Sequence, residues 1–380
     1  MGVTNLMKLI NKYAPSSVNK KKIKDYKGKI IAIDAILLIY RYSIAIRNKG
    51  SDLTRSDNKI TSHLHAIFYN ARSLLKEGIL PVYVFDGKPP KIKKDTLKLR
   101  KEKKKKSEKQ YQEQQDPQEK IKYFKRTFGI TNDMIISSFE LLDYLGLPYI
   151  QSPGEADSQS SALAMDKRIN VFGVASEDMD HLPFGSPYLL RNFSHKKEIK
   201  EINLKKMLNI LKLTHEEFID ICILIGTEYC CTIKGLSYTK AYEEYVKIKN
   251  MPRFIEHLNN INKKNIEKGK KQLYTIPDNF LDKWRETKQY YLEAQVIDPV
   301  ELNIKWNPPQ RDALLNFMVG ENEFNRKNIS NHINELKILH NKFSYKKPKK
   351  YYKKGKFSGG NCRDYVNNSM TKNNKNILVY

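Results

Sequence analysis

The sequence predicts an α/β fold built on a mostly parallel central sheet with helices on its faces. Two observations carry that expectation. Short runs rich in Val, Ile and aromatic residues, at 29–33, 81–85 and 171–175, are separated by helix-sized segments, the pattern of strands buried on both faces. Each run also leads into acids: Asp34, Asp86 and, after Ser176 and Glu177, Asp178 and Asp180. In open parallel sheets the carboxyl ends of the strands line the ligand crevice. Acids from distant parts of the chain are therefore expected along one edge of the sheet.

In chain order, residues 1 to about 90 alternate strand and helix patterns. Asp34 opens a helix carrying Tyr40 and Arg47, and 61–76 reads as an amphipathic helix. From Lys88 to Lys109 the composition turns abruptly basic, then Gln/Glu-rich to about residue 120. Such a run is either a solvated face or a working basic surface. Lys93 and Arg100, seven residues apart, fall on one face of a helix. Residues 120–250 return to α/β patterning, with Thr214 and Glu217 forming a capping box ahead of an apolar helix at 218–225. The glycine-punctuated stretch from Gly226 to Ala241 reads as a turn between helices. Turns of this kind expose N–H groups that bind phosphate, and serve equally as plain packing elements. Residues 257–271 read as a solvated loop or ragged helix. Beyond about residue 343 the chain is rich in Lys, Tyr and Asn and is expected to be disordered, as an import signal or a nonspecific DNA arm.

The chain has 380 residues, 40% of them hydrophobic, enough for one sizeable core and one or two subsidiary units. Its net charge of +27 far exceeds what solubility needs. It points to a polyanionic partner, nucleic acid before an anionic membrane surface. No apolar stretch is long enough to span a bilayer, and the N-terminus carries neither a signal-peptide core nor a myristoylation pattern, position 6 being Leu6. The cysteines Cys222, Cys230, Cys231 and Cys362 lack C-x-x-C spacing, so zinc and disulfides are not expected and a reducing intracellular compartment is.

A lone Asp after a strand is most often a helix N-cap or turn residue. Three such strand ends, with Glu155 and Asp157 near the start of another helix, favour metal binding instead. The i, i+2 pairs converge only in a strand, a loop or an irregular helix entry. Crowded carboxylates raise one another's pKa unless a cation neutralises them. With no His or Cys expected among them, the set suits a hard divalent ion, Mg²⁺ or Mn²⁺.

Together these segments resemble the flap endonuclease family of structure-specific 5′ nucleases. The resemblance covers roughly residues 1–340 and rests on the N-terminal stretch from Met1 to Ile10, Ile31-Ala-Ile-Asp34 and Thr61-Ser-His-Leu64. It continues through Pro81-Val-Tyr-Val-Phe-Asp86-Gly-Lys-Pro-Pro90, Pro153-Gly-Glu155-Ala-Asp157, Ser176-Glu-Asp178-Met-Asp180 and Cys222-Ile-Leu-Ile-Gly226-Thr-Glu228-Tyr-Cys230. It implies a PIN-like nuclease fold with a helical arch and a helix–two-turn–helix unit. The expected divisions are a nuclease half at 1–106, an arch linker at 107–119, an internal half at 120–250, a helical extension at 251–342 and the tail at 343–380.

The resemblance further implies that Asp34, Asp86, Glu155, Asp157, Asp178, Asp180 and Glu228 hold two Mg²⁺ ions, with Mn²⁺ as a substitute. Lys93 and Arg100 match the family's catalytic cations. Gly2, Tyr40, Arg47, Glu155, Gly226 and Glu228 match positions that meet DNA, and a K⁺ ion assists the turn after Gly226. The implied activity is cleavage at the base of 5′ flaps, with 5′→3′ exonuclease action on nicked or gapped duplex, by a monomer in the nucleus or at a site of viral DNA replication. Rival readings are a related 5′ exonuclease, a junction or repair nuclease, and an inactive branched-DNA-binding protein. Some positions depart from the family. Asp157 stands where Glu is usual, Glu228 where Asp is usual, Asn70 replaces a basic residue, and Ser237 and Tyr238 replace a Gly-Pro in the K⁺ turn. The tail has no Gln-x-x-aliphatic-x-x-aromatic-aromatic box, so sliding-clamp docking by that route is not expected.

Overall fold

A computed structural model describes residues 2–342; the expectations for the tail at 343–380 lie outside the described residues. Seven strands form one sheet: β1 (Val18–Lys21), β2 (Ile30–Asp34), β3 (Leu80–Phe85), β4 (Tyr149–Gln151), β5 (Val171–Ala175), β6 (Tyr188–Arg191) and β7 (Ile199–Asn203). Their order is β1-β7-β6-β5-β2-β3-β4. The pairs from β6 across to β4 are parallel, while β7 and β1 add an antiparallel edge. The mostly parallel sheet expected from the three apolar runs is present.

The first helices are α1 (Leu6–Tyr13), α2 (Ala35–Arg47), α3 (Ser62–Lys76), α4 (Lys94–Glu113), α5 (Pro117–Thr127), α6 (Asn132–Leu145) and α7 (Ala156–Met165). They are followed by α8 (Leu204–Leu211), α9 (His215–Ile225), α10 (Tyr238–Ile248), α11 (Met251–Glu267), α12 (Phe280–Glu293), α13 (Arg311–Leu315) and α14 (Arg326–Lys342).

Strand alternation sorts these helices into layers. Ile31, Ile33, Tyr83 and Phe85 point to one face, where Leu64 and Phe68 of α3, Leu141 of α6 and Ile333 of α14 cover them. Ala32, Val82, Val84 and Val174 point to the other, against Ala156 and Leu163 of α7. By the same alternation Asp34 shares the face of Ala32, and so looks toward α7. A third core joins α1 to α8–α12 through Leu6, Leu9, Met207, Phe218, Tyr245, Phe254 and Phe280.

Two segments left loosely defined by the sequence take definite local structure. The linker placed at 107–119 is largely helix, because α4 continues unbroken to Glu113. No Gly or Pro interrupts it before Pro117, and Asp116, accepting from Gln118 N–H at 3.1 Å, starts α5 immediately afterwards. Stacking of Tyr111 on Phe124, ring centroids 5.4 Å apart, ties the two helices together. The stretch 257–271 takes the helical of its two expected forms. It is helical to Glu267, with Phe254, Ile255, Leu258 and Asn262 on a buried face. The Asn262 carboxamide takes the N–H groups of Leu273 and Tyr274 at 3.0 and 2.9 Å, which fastens the segment that follows.

Candidate metal centre and its basic rim

Asp34 ends β2 and caps α2: its Oδ1 accepts from Leu37 N–H at 2.9 Å, while Oδ2 accepts from the Ser176 hydroxyl at 2.9 Å. Asp86 follows β3, and its Oδ1 accepts from Ala156 N–H at 2.7 Å at the start of α7. Glu155 is the N-cap residue of α7 and Asp157 lies in its first turn. Asp178 and Asp180 follow β5, with Asp178 Oδ1 accepting from Asp180 N–H at 3.1 Å. Glu177, between them and the strand, turns away to bind Arg41 at 3.0 Å and Arg191 at 3.2 Å. The loop conformation is what allows Asp178 and Asp180 to share one pocket while Glu177 leaves it.

The pocket is enclosed and crowded with acids. Burial, then the charge of Asp34, pushes the Asp86 carboxyl up to about 6, although Ala156 N–H opposes the shift. Burial pushes Asp157 up to about 7 against the pull of His181. Asp178 is also raised, chiefly by burial. Asp180 is fully buried and held well above the carboxylate range by burial and by Asp178 and Asp157. Tyr291 donates to its Oδ1 at 3.2 Å, but its Oδ2 is buried without a hydrogen-bond partner.

A buried carboxylate oxygen with no donor, facing further acids, is what a cation satisfies and an uncharged donor does not. The residues present fit a divalent ion. Gly2 closes this floor: with φ +78°, any Cβ there would collide with the Asp178 carboxylate.

Basic residues rim the pocket. Lys93, at the base of α4, forms ion pairs with Glu155 and, at 2.7 Å, with Glu228. Burial would lower its pKa, but the two acids hold it above the ordinary value. Arg100, two turns along α4, pairs with the other oxygen of Glu228. The Thr96 hydroxyl donates to the Glu228 carbonyl at 2.8 Å, so α4 is anchored to the loop after α9 at three levels. Over its 20 residues α4 buries only Ser107. Its lysines are therefore not covering a core of their own.

Several participants carry no signal in the local sequence. Tyr229 and Tyr290 both donate to Glu155 Oε2, at 2.7 and 2.6 Å, the second from α12. Burial, with the acids nearby, raises both phenols, so they remain protonated donors. The expectation that no His lies among the acids is corrected. His181 is fully buried beside Asp157, Nε2 to Oδ1 2.9 Å. Burial alone would lower its pKa, but Asp157 and Asp34 hold it well above the usual imidazole value. Its position directly after Asp180 was the available clue.

The remaining expected site residues take varied places. Tyr40, partly exposed, leans on Phe128 with ring centroids 5.7 Å apart. Gly226, φ +110°, ends α9 and its carbonyl accepts from Thr4 N–H at 2.7 Å, tying the N-terminal segment to the turn. Ser237 caps α10, accepting from Lys240 N–H at 3.2 Å. Asn70 accepts from the Tyr83 hydroxyl at 2.9 Å, a packing role.

Arg47, expected among the positions that meet DNA, is turned inward in this structure. Its buried guanidinium pairs bidentately with Asp52 at 2.7 Å and donates to the Phe124 carbonyl at 2.8 Å. It lies over the rings of Phe124 and Phe128. All its donors face inward because α5 packs down on α2 there.

Residues 1–107 match the XPG N-terminal domain, and residues 146–228 match the XPG I-region. Those segments contain all seven acids and both rim cations, so fold, site and family pattern together define an XPG-class nuclease. Human flap endonuclease 1 is 37% identical over 88% of this chain and 86% of its own length. The Glycine max flap endonuclease 1 is 37% identical over 93% and 91%. Among solved structures, the flap endonuclease-1 of Methanococcus jannaschii is 30% identical, with TM-score 0.64 over 86% of this chain and 96% of that one. The catalytic core of Rad2 in complex with DNA substrate shares the fold, at TM-score 0.68 and 23% identity over 88% of this chain and all of the other. The chain belongs to the flap endonuclease family.

Proposed function

We propose that this chain is a structure-specific nuclease that hydrolyses DNA at the base of 5′ flaps, with 5′→3′ exonuclease action at nicks and gaps, in replication and repair. The buried, unpartnered Oδ2 of Asp180 within a ring of acids carries the reading, because it demands a cation where the family's nuclease pattern converges. Asp34, Asp86, Glu155, Asp157, Asp178, Asp180 and Glu228 would hold two Mg²⁺ ions, or Mn²⁺ in their place. Such ions supply an activated water and stabilise the leaving oxygen of a phosphodiester.

The chain's own residues do the rest. Lys93 and Arg100 stand on the rim, held by Glu155 and Glu228, where a phosphodiester gains negative charge during cleavage. Tyr229 and Tyr290 fix the orientation of Glu155 through its Oε2. Asp180 and His181, both fully buried, keep the floor of the pocket dry, which strengthens each of these interactions. The lysines of α4 and α5 attract the backbone, an affinity that should fall with salt. The turn after Gly226 offers the N-terminus of α10 to phosphates of the duplex. A K⁺ ion there would depend on backbone carbonyls, since the Ser237 hydroxyl is engaged in capping α10.

Acting as a monomer on branched DNA, in the nucleus or wherever viral DNA is copied, is consistent with this surface. No helix among the described residues is long and apolar enough to cross a membrane. The test is incubation with Mg²⁺ and labelled double-flap, nicked and single-stranded DNA, with the products mapped. Release of the flap by a cut at its base is the expected result. Equal degradation of all three substrates would favour a simple exonuclease, and tight flap binding without cleavage would favour an inactive binding protein.

A further inference from the structure

The carboxylates account for a hard-ion site, but they do not account for an imidazole on its floor. His181 is 0% exposed. Its Nε2 approaches Asp157 Oδ1 to 2.9 Å and Asp34 Oδ2 to 3.9 Å, yet neither ring nitrogen has a partner in hydrogen-bond geometry. The short approach to Asp157 is therefore off the line a hydrogen bond needs. Buried polar atoms left in this state are rare, and a bound ion is one of the things that accounts for them.

Asp34, Asp157 and His181 each offer one donor atom, and the three atoms lie within 4.8 Å of one another. A transition ion bound at about 2.0–2.2 Å from each would need only a small closure of that triangle. Mg²⁺ favours all-oxygen shells and keeps its waters, whereas Mn²⁺, Co²⁺ and Zn²⁺ accept imidazole readily.

We propose that His181 is a nitrogen ligand, so that one metal position of this chain has a mixed donor set of Asp34, Asp157 and His181 and takes a first-row transition ion in preference to Mg²⁺. The inference rests on the metal-centre reading above and deepens it. Its physical content is selectivity: a nitrogen donor raises affinity for the transition ions and does nothing comparable for Mg²⁺.

The test uses the full chain with Mn²⁺ added at one equivalent, read by pulsed electron paramagnetic resonance. The expected result is a nitrogen coupling of the size of a directly bound imidazole. It should change to the ¹⁵N pattern when histidine alone is ¹⁵N-labelled, which requires no substitution of a buried residue. In His181→Gln, checked for folding by circular dichroism, the coupling should vanish. Mn²⁺ affinity by calorimetry should fall about 10-fold or more, the scale on which altered metal surroundings act, with Mg²⁺ affinity changing far less. Failure of wild-type chain to bind Mn²⁺ at all would overturn the metal centre itself. Mn²⁺ bound without a histidine coupling, or with one unchanged in His181→Gln, would overturn the inference and leave the centre standing. Should His181→Gln not fold, the labelled wild-type spectrum alone decides.

Discussion

Stripping divalent metal from this protein should expose a pH-dependent instability that metal removes. Asp86 and Asp157 have native pKa values of about 6 and about 7 against 3.8 for a free carboxyl. Between 3.8 and those values the native state binds more protons than the unfolded chain. Stability from these groups is thus complete below the unfolded pKa and lost as pH rises through the folded ones. His181, also raised, acts with the same sign at higher pH. At ~1.36 kcal/mol per unit, shifts of about 2 and about 3 units correspond to about 3 and about 4 kcal/mol. The two carboxyls share one cluster, so about half of the total, ~3–4 kcal/mol, is expected from the pair.

The raw pH slope is the wrong observable, because buried His63, pushed down to about 4 by burial, contributes with the opposite sign. The difference between Mg²⁺ and EDTA cancels such distant groups. Thermal melts in both, from about pH 5 to about pH 8, should show a gap in Tm that is small at the acid end. It should widen to roughly 6–8 °C, taking about 2 °C per kcal/mol for a chain of this size. In Asp157→Asn the EDTA melts should lose part of their decline. A gap that does not depend on pH, or one that narrows as pH rises, would refute the argument that metal neutralises a strained acid cluster.

Asp180→Ala should abolish flap cleavage while leaving affinity for flap DNA largely unchanged, since the acids act on chemistry and the basic surface on binding; wild-type turnover at saturating Mg²⁺ would contradict this. Lys93→Ala and Arg100→Ala should each lower single-turnover rates by orders of magnitude with little change in affinity, whereas a proportional loss of binding would make them ordinary phosphate contacts. Arg47→Met should leave the buried Asp52 carboxylate uncompensated and lower stability by about 3–5 kcal/mol in urea titrations. DNA affinity of the folded fraction should stay near wild type, and a selective loss of binding would restore the contact role. Glu228→Gln should weaken apparent Mg²⁺ affinity and slow cleavage modestly; a titration indistinguishable from wild type would remove Glu228 from the metal set.

The parts of this molecule legible in the sequence are those that obey short-range rules. The runs at 81–85 and 171–175 became β3 and β5, and the run at 29–33 became most of β2, because alternation and β-branching act residue by residue. Asp34, Asp86, Asp178 and Asp180 could be gathered from strand ends alone, since a parallel sheet sends its carboxyl ends to one edge. Glu228 could not: it sits in a loop after α9, and only the resemblance pointed to it. Tyr290 reaches Glu155 from 135 positions away, a distance at which no local pattern speaks. The helix at 251–267 is not separable from a loop by its second half alone, because its apolar face begins at Met251, Phe254 and Ile255, ahead of an Asn- and Lys-rich stretch. The burial of Arg47 is not legible for a related reason, as it is imposed by Phe124 and Phe128, two residues from a different helical layer.

The competing readings of Asp34, helix cap or metal ligand, turn out not to compete. A carboxylate has two oxygens, and here they divide the work: Oδ1 caps α2 through Leu37 N–H, and Oδ2 faces Ser176 and the pocket. Asp86 does the same across elements, its Oδ1 accepting from Ala156 N–H at the head of α7. In each case the helix start takes one oxygen and the other is available to turn inward, that of Asp34 already accepting from the Ser176 hydroxyl. Capping therefore contributes something a loop-borne acid lacks, since it fixes the carboxylate plane before any ion arrives. Asp180 has no such anchor beyond the Tyr291 hydroxyl, and it is the acid with an unsatisfied oxygen. The pocket is thus framed by two acids, Asp34 and Asp86, whose first oxygen is engaged in secondary structure, while among the described residues the acid left with a buried, unpartnered oxygen is Asp180.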